Sequence, residues 1–176
     1  MIVVDELYEA FLGESVLPIS NFEQTPNLVI LRSFSKTAGL AGLRIGFAIA
    51  HYEVIDRLQR VTGPYDINSF AVTAALACLS DQKYIDDYVK EVLEARKWIK
   101  GKLIAHNIRH FIESGNYFLI WPKNSPVKVE SFLKSQGILV RNMKGKTLLE
   151  GSLRVSIGTM KQMQYFWDSI MKSDDI

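Results

Sequence analysis

The sequence predicts an α/β chain in two parts, a parallel-type α/β layer followed by a smaller α+β lobe. Three observations carry that expectation. Three short, almost wholly apolar runs lie at 2–5, 28–31 and 45–50, and such runs suit strands covered by helices on both faces. The middle of the chain then turns to helical periodicity, and the last third alternates strand-like runs with amphipathic stretches. The boundary is expected near residue 80, giving parts 1–80 and 81–176, with a long helix as connector.

In order, Ile2, Val3, Val4 and Asp5 read as a buried strand that the acidic residues Asp5 and Glu6 close. Tyr8 and Phe11 follow in a short helix or turn. Residues 13–26 read as loop, with Pro18, Asn21, Pro26 and Asn27 as breakers. Next come the 28–31 strand, a polar loop around Lys36 and the 45–50 strand. Val54, Ile55, Leu58 and Val61 recur at helical spacing over 52–61. Asn68 or Ser69 is suited to cap a small-residue helix reaching Leu79, with Cys78 on a packed face. Ser80 and Asp81 then cap a long amphipathic helix ending near Asn107. Its expected core stripe is Ile85, Tyr88, Val89, Val92, Leu93, Trp98 and Ile99. Strands are expected at 109–113 and 117–121, and a helix over 126–136 that Gly137 ends. Further strands follow at 138–141 and 153–157. Thr159 caps a final helix to about Met171, and the tail 172–176 is expected to fray.

Composition bounds the class. Of 176 residues, 48% are apolar and 23% charged, with a net charge of +2, values ordinary for a globular protein. No basic stripe argues for nucleic acid. The single cysteine excludes a disulfide framework within the chain, which fits a reducing cytoplasm. No apolar segment is long enough to span a membrane, and the N-terminus lacks the layout of a secretory signal.

The candidate chemistry gathers at strand ends, where ligands of α/β sheets bind. Asp5 ends one strand, Lys36 follows the next and Arg44 precedes the third. A neutral lysine amine forms Schiff bases. A carboxylate facing a pyridinium nitrogen strengthens an electron sink, and an arginine with two serine hydroxyls suits a phosphate dianion. Lys36, Asp5 and Arg44 with Ser33 and Ser35 therefore specify pyridoxal 5′-phosphate better than any other common cofactor. A nucleotide phosphate loop fails, because Lys36 and Thr37 precede the glycines instead of following them.

Bland rivals stand beside these roles. Asp5 suits a strand-end cap, Tyr8 a half-buried core position, and Ser35 a cap of the next turn. Arg154 within an apolar strand needs a partner, either a ligand or a structural carboxylate. Arg141 at a strand end is equally suited to water. His106 and His110 straddle a helix end, so no metal site is expected, and His51 reads as ordinary surface.

Asp5, Glu6, Leu7 and Tyr8, then Ser33, Phe34, Ser35 and Lys36, then Gly39-Leu40-Ala41-Gly42-Leu43-Arg44-Ile45-Gly46, together resemble the fold-type I (class I/II) aminotransferases. Within that group the chain looks most like the histidinol-phosphate aminotransferases. Residues 138–141 and 153–159 match the same subfamily. The resemblance implies the C-terminal part of the large cofactor-binding α/β/α domain followed by the small α+β domain. It implies Lys36 as the Schiff-base lysine and proton shuttle, Asp5 at the pyridine nitrogen, and Tyr8 at the ring hydroxyl. Ser33, Ser35 and Arg44 would bind the cofactor phosphate. Arg154 would take the substrate α-carboxylate, and Arg141 a second anionic group such as a phosphate.

The implied reaction moves an amino group between an amino acid, histidinol phosphate-like or aromatic, and 2-oxoglutarate, in histidine biosynthesis. The implied setting is a cytoplasmic homodimer, with residues 64–68 approaching the neighbouring subunit's cofactor. A threonine-phosphate decarboxylase-like lyase and a non-catalytic assembly fragment are the alternatives. Family members run to roughly twice this length, so the segment before the Asp5 strand is expected to be missing. With it would go the residue stacking on the cofactor ring and several strands. Weak cofactor binding and a self-associating strand edge are the consequences expected.

Overall fold

Strand β1 (Ile2–Asp5) pairs in parallel with β2 (Leu28–Ser33), and β2 pairs antiparallel with β3 (Gly46–Ala50). The expected parallel-type layer is therefore mixed. A parallel return needs a crossover of a dozen residues or more, usually a full helix. The β2–β3 connection offers only the single turn α2 (Phe34–Thr37) and a 3₁₀ turn over Ala41–Leu43, so the chain turns straight back. Ser33 lies opposite Gly46 in the register. A Cβ on Gly46 would sit 2.7 Å from the Arg32 carbonyl oxygen, so this close approach requires glycine.

The computed structural model describes residues 1–173 and 176, in two units, Met1–Val89 and Lys90–Ile176. Residues 174–175 of the expected frayed tail lie outside the described residues. The first unit also holds α1 (Glu9–Leu12), α3 (Tyr52–Val61) and α4 (Ser69–Ser80), and helix α5 (Gln82–Ala105) begins in it. Asn68 caps α4 by accepting from the Ala71 N–H at 2.8 Å, and Asp81 accepts from Tyr84 N–H at the start of α5. Phe34, Ala38 and Ala75 form a buried cluster, with Leu40, Ile45 and Cys78 packed against it. Strand β1 departs from the doubly covered strand expected: Ile2 and Val3 are 57% and 56% exposed. In the described chain it has a strand neighbour on one side only. Helix α4 is apolar all round, yet Phe70 and Leu76 are also exposed.

In the second unit, β4 (His110–Phe111), β5 (Tyr117–Ile120), β6 (Arg141–Asn142) and β7 (Leu153–Ser156) form an antiparallel sheet in the order β4-β5-β7-β6. Helices α6 (Pro126–Ser135) and α7 (Met160–Ile170) complete it. Phe118 of β5 meets Phe166 of α7 edge to face at 5.8 Å, and both are buried. On α5, Val92, Ala95, Ile99 and Leu103 are the buried residues. The expected stripe found Val92 and Ile99 but missed Leu103 and Ala95, the latter a small residue fully buried on the same helix.

The strand expected over 138–141 shortens to a pairing of Arg141 and Asn142. Gly137, at φ +76°, ends α6 as expected. Ile138 N–H then donates to the Leu133 carbonyl and Gly137 N–H to that of Lys134, the paired bonds of a Schellman motif. Ile138 is thereby spent on closing the helix. Thr159 caps α7 and Gln162 bonds back to it, a complete capping box. No helix among the described residues is long and apolar enough to cross a membrane.

Candidate functional site

The loop from β2 to β3 presents most of the chemistry that the sequence singled out. Ser33 ends β2 and its Oγ accepts from the Ser35 N–H at 3.0 Å, which starts the turn α2. The cap of this turn is thus Ser33 and not Ser35, which contributes its backbone N–H. Lys36 lies in that turn with its Nζ 5.4 Å from the centre of the Tyr8 ring.

Arg44 stands at φ +56°, a left-handed conformation that costs a side-chain-bearing residue about 1–2 kcal/mol. Its Nη1 donates to the Ala41 carbonyl at 3.0 Å, folding the side chain over its own loop. Ser33, Ser35, Arg44 and Gly46 line one open cleft of 420 Å³ together with Leu7, Arg32 and Phe47. Two hydroxyls and a guanidinium on one cleft form a donor set that suits a phosphate dianion. Asp5 closes β1 opposite Leu31 and is exposed. Its Oδ1 accepts from the Leu7 N–H at 3.0 Å, so the capping role is present and the second oxygen is not engaged by it.

A buried charge network beside this loop was missed at the sequence level. Glu6 is only 7% exposed. Its carboxylate accepts from Ser15 Oγ, from the Val16 N–H at 2.7 Å and from both Nε and Nη2 of Arg32 at 3.1 and 2.9 Å. Arg32 also pairs with Glu9 at 3.3 Å. Burial opposes ionisation of Glu6, but the Val16, Arg32 and Ser15 hydrogen bonds outweigh it and hold its carboxyl below the ordinary range. Glu9 goes the other way: burial raises it, Arg32 offsets part of this, and the Glu6 charge raises it further. The available signal was Arg32 at the end of an apolar strand, since a half-buried guanidinium needs a carboxylate.

His51 also departs from expectation. It is 9% exposed, not surface. Its Nδ1 accepts from the Glu53 N–H at 3.4 Å to cap α3, and its ring lies 4.5 Å from that of Tyr52. In the 64–68 segment Tyr65 is almost fully exposed, while Asn68 donates to the Leu43 carbonyl.

In the second unit Arg141 and Arg154 are direct cross-strand partners between β6 and β7. Such partners project on the same face. The Arg154 guanidinium lies 5.6 Å from the Tyr117 ring centre. Among the described residues no carboxylate comes within 4.0 Å of either arginine. Paired cations without a carboxylate suit an anionic ligand better than a structural ion pair.

The family model "Aminotransferase class I and II" matches residues 1–170. The histidinol-phosphate aminotransferase of Syntrophotalea carbinolica is 37% identical over 165 residues, covering 93% of this chain and 47% of the relative. The chain thus spans about half the length of the curated relatives it matches. The histidinol-phosphate aminotransferase structure from Clostridium acetobutylicum superposes with a TM-score of 0.84 at 24% identity, over 97% of this chain and 53% of that one. That from Sinorhizobium meliloti, solved in complex with pyridoxal 5′-phosphate, gives a TM-score of 0.76 at 21% identity, covering 97% and 49%.

Proposed function

This chain belongs to the class I and II aminotransferases, and from that premise we propose that it is the cofactor-lysine part of a pyridoxal-phosphate-dependent aminotransferase acting on a phosphorylated amino donor of the histidinol phosphate kind, with 2-oxoglutarate as acceptor. The observation that carries the reading is the β2–β3 loop, where Ser33, Ser35 and Arg44 share one cleft and Lys36 follows Ser35 directly. The donor set fits the cofactor: hydroxyls and guanidinium for the phosphate, a carboxylate for the pyridine nitrogen and a primary amine for the aldehyde.

Pyridoxal phosphate, when bound, supplies an electron sink that lowers the cost of removing a substrate α-proton. In this reading Lys36 holds the cofactor through its amine, then accepts and returns the proton once displaced. An amine acts as nucleophile or base only in its neutral form. Asp5 would face the pyridine nitrogen with the carboxylate oxygen that the Leu7 N–H does not use. Ser33, Ser35 and Arg44 orient the phosphate, and Arg44 must release the Ala41 carbonyl to do so with its full fork. On the second unit, Arg154 takes the substrate carboxylate, and Arg141 the additional anionic group that a phosphorylated donor carries. The working assembly in this proposal is a cytoplasmic homodimer.

Titration with pyridoxal 5′-phosphate tests the reading. An absorption band of the lysine-bound cofactor is expected, lost in Lys36→Ala. Its absence from folded wild-type protein would refute cofactor binding by this chain and favour an assembly fragment. Glutamate formation from histidinol phosphate and 2-oxoglutarate supports the transferase. Carbon dioxide release from threonine phosphate in its place would support the lyase.

A further inference from the structure

Strand β1 and strand β2 carry the two arms of the site, and their backbone ladder stops just short of it. Its last rung is the Glu6 N–H donating to the Leu31 carbonyl at 2.9 Å. Beyond that rung the chains part, one into α1 with Tyr8 and the other into α2 with Lys36. The Arg32 guanidinium spans the gap at that point. Nε and Nη2 donate to Glu6 Oε2 at 3.1 and 2.9 Å, Nη2 donates also to Ser15 Oγ at 2.9 Å, and Nη1 faces Glu9 Oε1 at 3.3 Å. Each nitrogen of the fork is committed to a partner on the β1 side. Ser15 donates onward to Glu6 and accepts from the Leu17 N–H, which ties the 13–17 loop into the same knot. Arg32 immediately precedes Ser33 and lines the same cleft.

We propose that Arg32 is a positioning residue, a clamp whose bonds to Glu6, Ser15 and Glu9 set the spacing of Asp5 and Tyr8 from Ser33 and Lys36. The proposal rests on the functional reading above for its purpose, while the clamp itself is a property of the apo chain. Glu6 and Arg32 are each next in sequence to a site residue, Asp5 and Ser33. A guanidinium fixes direction as well as distance, because its donors are coplanar. A lysine at this position keeps the charge and one bond but cannot satisfy Glu6, Ser15 and Glu9 in a fixed plane. The clamp is therefore a matter of geometry, and charge alone does not replace it.

Amide hydrogen exchange on the 176-residue chain decides this without cofactor. The Leu7 and Ser35 amides report the two arms, since they donate to Asp5 and Ser33. Ile30, buried in β2, reports the sheet. In Arg32→Lys, exchange at Leu7 and Ser35 is expected to rise about tenfold, the scale of a lost charge-assisted hydrogen bond, with Ile30 unchanged. Cofactor affinity should fall by a similar factor, with Arg44 and Lys36 intact. Unchanged Leu7 and Ser35, or an equal rise at all three amides, would overturn the proposal, the latter showing a merely structural pair. Should Arg32→Lys fail to fold, Ser15→Ala removes a single member of the network, and the same arm-specific increase is required of it. Failure of wild-type protein to bind cofactor refutes the functional reading instead and leaves the exchange result to judge the clamp.

Discussion

Arg141→Gln isolates the electrostatics of the second unit. Arg141 and Arg154 face each other across β6 and β7, and cross-strand Cβ atoms sit about 5 Å apart. Guanidinium charges lie several ångströms beyond Cβ, and two unit charges about 5–10 Å apart in water repel by roughly 0.4–0.8 kcal/mol. Changing ionic strength from 0.01 M to 1 M shortens the Debye length from about 30 Å to about 3 Å, which screens nearly all of it. At low salt the variant should therefore be more stable than wild type by about 0.4–0.8 kcal/mol, and at high salt the two should converge. Trp98, Trp121 and Trp167 all lie in the second unit and are the chain's only tryptophans. Urea unfolding followed by tryptophan fluorescence therefore reads that unit alone, and urea adds no ions. Inorganic phosphate should reverse the order by stabilising wild type selectively, since a ligand that binds only the folded state adds stability. A variant less stable than wild type at low salt, or a difference indifferent to salt, would refute the unrelieved pair and with it the argument for an anion there.

Further outcomes follow from the caps and the buried network. Thr159→Ala removes the side chain that accepts from the Gln162 N–H at the start of α7; the second unit should lose about 1 kcal/mol, read by the same fluorescence assay. Glu6 has its carboxyl held below the ordinary range, so its contribution is present above the unfolded-state pKa and lost as pH falls through the folded one. Glu6→Gln should remove that acid limb from first-unit unfolding followed by circular dichroism, and superimposable acid limbs would exclude the assignment. Glu9, held above the ordinary range, contributes with the opposite sign and gains stability as pH falls through its folded-state pKa, so Glu9→Gln should steepen the acid limb.

Local signals served well where a single residue decides the outcome. The start of α4 at Asn68, the capping box at Thr159 and the left-handed Gly137 were all readable, because a cap needs only its own side chain and the next turn of backbone. The strand end carrying Asp5 was readable for a related reason, as the apolar run stops where the first polar residue appears, whereas the strand expected over 28–31 runs on through the polar Arg32 to Ser33. Errors fell where the side-chain pattern does not show what a backbone or a ring is engaged in. Ile138 and Val140 have strand-like side chains, but the backbone of Ile138 was already committed to closing α6. His51 looked like surface, yet its ring lies against Tyr52 and caps α3, contacts with its own neighbours that residue type alone does not announce.

The sequence by itself set which donors are present and in what order: Ser33, Ser35, Lys36 and Arg44, with Asp5 one strand earlier. Tertiary structure decided how those donors are held. Only the fold shows that β3 returns antiparallel and so brings Gly46 opposite Ser33 at the cleft. Only the fold shows that Arg141 and Arg154 stand in register with no carboxylate in reach among the described residues. Only the fold joins Arg32 to Glu6 across 26 positions of chain. Residue type sets what a side chain can do, but electrostatic and hydrogen-bond energies depend on separations in space. Those are fixed when non-local strands pair, which is why the order of donors around Lys36 is read from the chain and the Arg32–Glu6 pair beside it is not.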